Sequence, residues 1–95
     1  MNLHDYTASS PAWDSGEPEI IRFITPETEY GLPWHSLGLA QFLPNHNSIL
    51  LHYGAGSIVI KGDATPSLWI NFTNRKVIAV RIHLPLITSI SIELR

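Results

Sequence analysis

The run Ile49 to Gly62, I-L-L-H-Y-G-A-G-S-I-V-I-K-G, leaves few options for the fold around it. Two strand-like segments flank a glycine-rich break, so the stretch from about Asn47 to Gly62 reads as a β-hairpin. Gly54-Ala55 as a two-residue loop suits a type II′ turn, with glycine where positive φ is needed. Leu51 then faces Ile58, and Ile49 faces Ile60. One face carries Ile49, Leu51, Tyr53, Ile58 and Ile60. The other carries Ser48, Leu50, His52, Ser57, Val59 and Lys61. A plain three-residue loop sets Ile49 against Lys61 and mixes the faces, because a one-residue slip inverts every side chain. A four-residue loop keeps the good parity, and a three-residue loop with a bulge restores it. An apolar face opposite a mixed face is the sign of a sheet with one side packed on a core.

The hairpin closes a segment with an unusual property. Residues 31–60 contain no Asp, Glu, Lys or Arg. Net charge is −5 over residues 1–30, zero over 31–60 and +3 over 61–95. A charge-free segment of this length fits central strands, an interface, or a sheet shared between subunits. The acidic front and basic back are placed to attract each other, although exposed pairs add little stability.

The remaining chain supplies further strands. Ile20 to Thr25 is a β-branched and aromatic run ended by Pro26. Pro26 to Pro33 reads as a loop. Leu37 to Leu43 alternates as a strand, with a helix as the competing reading; Gly38 and Pro44 favour the strand. Thr65-Pro66 reads as a helix start, Thr at the N-cap and Pro at the first helical position. Leu68, Trp69 and Phe72 form one stripe and Asn74 closes the helix. Alternation of Leu68, Ile70 and Phe72 supports a rival strand for the same residues. Val77 to Ile82 and Ile87 to Leu94 are strands joined by a bend at Leu84-Pro85. Residues 1–19 read as a polar tail carrying Trp13, and residues 20–95 as a single β-rich domain. Trp13 is placed to dock on a partner or on the body of the domain.

These readings assemble into an α+β domain: a small antiparallel β-sheet of about five or six strands with one short helix packed on it. Ninety-five residues make one domain. Cysteine is absent, so neither a disulfide nor a thiolate zinc site is available. No basic segment followed by an apolar stretch opens the chain, and no run is long enough to span a bilayer, which points to the cytoplasm and away from membranes.

The candidate chemistry is sparse. Five histidines occur, His4, His35, His46, His52 and His83. No two of them fall at i, i+2 on a strand or i, i+4 on a convincing helix, so no metal set and no cofactor is expected. Ser36 beside His35, and Ser57 opposite His52, are the Ser–His neighbours. Neither has an orienting acid or an oxyanion hole, and the reading leans away from an enzyme. Gly54-Ala55-Gly56 lacks the spacing of a phosphate loop. Asn71-Phe72-Thr73 matches a glycosylation acceptor by chance composition. Trp34, Tyr30 and Tyr53 with Arg75, Lys76 and Arg81 combine aromatics and bases, but the chain carries a net charge of −2, so nucleic acid is not expected.

Only 15% of the residues are charged, against 44% hydrophobic. A small surface so poor in charge exposes apolar area that a partner covers. The expected role is therefore a non-catalytic protein-interaction or assembly module, with a protein partner or a homo-oligomer. Its candidate surface comprises Trp13, Trp34, Leu50, His52 and Val59. The alternative is a small ligand-binding or enzymatic domain with a pocket near Trp34, His35, His52 and Tyr53.

Overall fold

The computed structural model describes residues 10–95. Its elements are β1 (Trp13–Ser15), β2 (Ile20–Ile24), β3 (Glu29–Pro33), β4 (Leu37–Leu43), β5 (Ser48–Tyr53), β6 (Gly56–Lys61), α1 (Thr65–Thr73), β7 (Val77–Arg81) and β8 (Ser89–Leu94). The α+β class holds, with antiparallel pairing dominant. The strands form two four-stranded sheets rather than one sheet of five or six. The first has the order β1-β7-β2-β3, the second β4-β5-β6-β8. One pair, β2 with β7, is parallel.

The hairpin has the register that its face parity demands. Leu51 pairs with Ile58, Ile49 with Ile60 and His52 with Ser57. Ile49, Leu51, Tyr53, Ile58 and Ile60 are buried, while Leu50, His52, Ser57 and Val59 are half-buried on the opposite face. The turn geometry differs from type II′. Positive φ falls on Gly56 rather than Gly54. Gly56 is where β8 crosses closest, and a Cβ there would overlap the Glu93 carbonyl oxygen. Gly62, at the other end of β6, meets the Leu86 carbonyl oxygen in the same way. Glycine at the start of β6 and just past its end thus lets β8 and the segment leading into it lie close.

Three stretches take roles that composition concealed. Glu29–Pro33, read as loop, is strand β3, paired Phe23 to Tyr30 and Ile21 to Leu32. Its glycine and proline are tolerated because β3 is an edge strand: Pro33 ends it, and Gly31 gives room to Ile20. The segment read as a tail contributes β1, which pairs with β7. The rest of that segment, residues 1–9, lies outside the described residues. Thr65–Thr73 is the helix and not the rival strand. Ala64 takes the cap position, and the Thr65 hydroxyl donates to the Gly62 carbonyl at 3.0 Å, within a turn of the expected start.

Both sheets and the helix feed one core. Trp13, Ile21, Phe23 and Val80 come from the first sheet, Ile49, Leu51, Ile58, Ile60 and Ile90 from the second, and Leu68 and Phe72 from α1. Trp69 of α1 stacks on Phe42 of β4, with ring centroids 5.8 Å apart and planes 21° apart. This offset stack holds the helix beside β4.

Candidate functional site

The outward faces of the two sheets differ in chemistry. On the first sheet, Asp14, Ala79 and Arg22 are lateral neighbours in register. Arg81 donates to Asp14 at 2.6 Å, and Arg22 to Glu29 at 2.8 Å. Lys76 reaches Glu17 at 3.4 Å. The acidic front of the chain therefore meets its basic back within the molecule. The Arg81 guanidinium beside Asp14 holds that carboxyl below the usual carboxylate range, and Arg22 does the same for Glu29. Arg22 is raised in return, chiefly by its hydrogen bond to Glu29.

The outward face of the second sheet has no ion pair among the described residues. Its central row runs Gln41, Leu50, Val59, Ser91 across β4, β5, β6 and β8. Leu39, His52, Ser57 and Glu93 form a neighbouring row. Among the described residues no element covers this side: α1 lies on the inward side, through Trp69 and Phe42. Gln41 Oε1 accepts from His52 Nε2 at 3.0 Å, and Ser57 Oγ lies 3.4 Å from His52 Nδ1. Glu93 lies on the far side of Ser57 from the imidazole. This polar strip is a cross-strand hydrogen-bond network.

A groove of about 290 Å³ runs beside β4. It is lined by Trp34, Leu37 to Ala40, and Trp69, Phe72 and Thr73 of α1. The groove runs along Leu37 to Ala40, where the pairing of β4 with β5 is irregular. Among the described residues β4 bonds to β5 alone, which leaves its other edge open there. A natural edge is ordinarily blunted by brevity, charge, proline or cover. Here β1 has three residues, β3 begins at Glu29 and ends at Pro33, and β8 carries Glu93. β4 is seven residues long, L-G-L-A-Q-F-L, with no charge and no proline, although its pairing is irregular between Leu37 and Leu39. Leu39 is 54% exposed and Leu43 37%.

The expected surface residues divide accordingly. Leu50, His52 and Val59 share the outward face of the second sheet. Trp34 stands in the groove, its backbone N–H held by the Glu19 carbonyl at 2.8 Å. Trp13 is 3% exposed and belongs to the core, so it presents no surface to a partner. Its neighbour across the ladder is Val80, and its insertion is what seats β1. Trp34, His35, His52 and Tyr53 do not converge on one pocket. His35 is exposed in a short 3-10 turn, while His52 and the buried Tyr53 are consecutive on β5 and point to opposite faces. Burial pushes the Tyr53 hydroxyl up to about 12. His46 and His83 are exposed and apart from these, and His4 lies outside the described residues. No group of three metal-binding side chains occurs among the described residues.

Sequence reasoning missed the pairing of Trp34 with the helix. Arg75 lies over the Trp34 ring, its guanidinium carbon 5.7 Å from the centroid. The sequence groups these two with four other aromatics and bases, and those go elsewhere: Tyr30 onto β3 opposite Phe23, Tyr53 into the core, Arg81 to Asp14, Lys76 to Glu17. Among the described residues no helix is long and apolar enough to cross a membrane. Comparison with protein-family models, with curated proteins and with solved structures gave no match.

Proposed function

We propose that the domain is a non-catalytic protein-interaction module that takes an extended segment of a partner protein along the open edge of β4. The observation that carries this is the strand itself: long, uncharged, unpaired on one side among the described residues, and bordered by an apolar groove. Strand addition supplies main-chain hydrogen bonds, and the adjoining groove sorts alternate side chains. The scarcity of charge between residues 31 and 60 supports it. A cytoplasmic setting goes with the proposal, since a cysteine-free chain suits a reducing compartment; imaging of a tagged chain tests that part. The decisive measurement is backbone amide exchange in the presence of an extended apolar peptide. Protection gained over residues 37–43, and lost in Leu39→Lys, is the expected result. Unchanged exchange across β4 at saturating peptide rules the proposal out.

A second reading, assembly of two copies through the outward face of the second sheet, is favoured by Leu39, Leu43, Leu50 and Val59 lying together there. Its area argues for weakness. Strands of about 20 Å, four across at about 4.8 Å each, give roughly 400 Å² per copy, or about 800 Å² in all. Stable interfaces bury about 1,200 Å² or more. Equilibrium sedimentation distinguishes the two: dimers at low micromolar concentration support assembly, and monomers at hundreds of micromolar remove it.

A further inference from the structure

We propose that the groove beside β4 selects an apolar side chain together with a carboxylate on the docked segment, with Arg75 as the counter-charge. This rests on β4 being a docking edge. The apolar half of the site is Leu37, Trp69 and Phe72, with Trp34 at one side. The charged half follows from how the nearby ions are occupied. Arg75 makes no ion pair among the described residues and lies against Trp34, which lines the groove. Arg75 also lines a polar cleft together with Glu17, Pro18, Glu19, Asn74 and Lys76. Lys76 engages Glu17 there at 3.4 Å. Glu19 contributes its backbone carbonyl to Trp34, forms no ion pair among the described residues and lines the same cleft as Arg75, so its carboxylate is the internal competitor for that guanidinium.

A guanidinium set on an aromatic face keeps its planar fork for a second, bidentate partner. A carboxylate is the planar anion that matches it. The carboxylate sits toward Trp34, because Arg75 lies at that end, while the opposite end of β4 runs into the turn Pro44–His46, which carries an imidazole and no guanidinium. The partner is therefore an extended peptide segment whose chain ends in a free carboxylate beside a bulky apolar residue.

Two synthetic hexapeptides of alternating threonine and leucine, acetylated at the start, test this. One ends in a free carboxylate and the other in a carboxamide. Titration of each is followed through the indole N–H signals of Trp34 and Trp69 and the backbone amides of residues 37–43. The expected result is saturable shifts with both peptides and affinity about three- to ten-fold higher for the carboxylate at low salt, as for a partly exposed charge-assisted pair. The advantage disappears in Arg75→Gln, returns in part in Arg75→Lys, and shrinks in about 0.5 M salt as screening shortens to a few ångströms. Equal affinities, or a carboxylate advantage that survives Arg75→Gln, overturn the inference and leave β4 docking in place. Absence of shifts at β4 and at both indoles with either peptide overturns docking and inference together. Arg75 is exposed and outside the core, so the variants fold, which far-ultraviolet circular dichroism verifies.

Discussion

Tyr53 shows how a single buried hydroxyl ties stability to pH. Its ring fills the inward face of β5, and its oxygen has no hydrogen-bond partner among the described residues. The neutral form is favoured because burial penalises the phenolate, which raises the pKa to about 12. The unfolded chain releases this proton near the ordinary value of 10. The contribution is therefore fully present below about pH 10 and is lost as pH climbs through about 12, a span of roughly 2–3 kcal/mol. Urea unfolding between pH 9 and 12 should show this fall, and Tyr53→Phe should remove it. At neutral pH the same substitution should cost under about 1 kcal/mol or stabilise slightly, because the hydroxyl it deletes is unpaired. Gly56 is the second informative residue. Gly56→Ala places a methyl group on the Glu93 carbonyl. A loss of about 1–3 kcal/mol is expected by denaturant titration, against little change for Gly54→Ala, where no atom lies within 4 Å.

Among the elements, the helix and the hairpin were legible and β1 and β3 were not. Period-two alternation with β-branched residues marks β5, β6 and β8, and Thr65-Pro66 marks α1, because those signals depend on local geometry. β3 and β1 are edge strands whose conformation comes from their neighbours. Glu29 to Pro33 and Trp13 to Ser15 each hold one strand-favouring aromatic among residues that disfavour strands, and pair because β2 and β7 offer them a ladder. The outward-facing Leu50, His52 and Val59 followed from the hairpin register. The groove did not, since it needs Trp34 and Trp69, 35 residues apart, and a helix laid against an edge. The Phe42–Trp69 stack is the contact that lays it there. A double-mutant cycle with Phe42→Leu and Trp69→Leu should return a coupling of about 0.5–1.5 kcal/mol by chemical denaturation. Additive losses would mean that the helix is positioned by Leu68 and Phe72 alone.

At the scale of the whole molecule, the sheets are joined through a common core and separated by what they present to solvent. One outward face is laced with ion pairs, and the other is almost without charge. Trp13→Ala should cost about 3–5 kcal/mol by denaturant titration, the size of a buried aromatic in a packed core. The loss of a detached tail residue would be near zero. The ion pairs on the first sheet contribute modestly because their side chains are substantially exposed. The position of β7 has a consequence in time. It lies between β1 and β2, although more than fifty residues separate it from either. The first sheet therefore waits, during synthesis, for a strand made late, while β4, β5 and β6 pair as soon as they emerge. Until β7 arrives, β2 and β3 are a lone hairpin, marginal in water. Closing so long a loop is slow, and the order of events is set by the plan of the chain rather than by the strength of any contact in it.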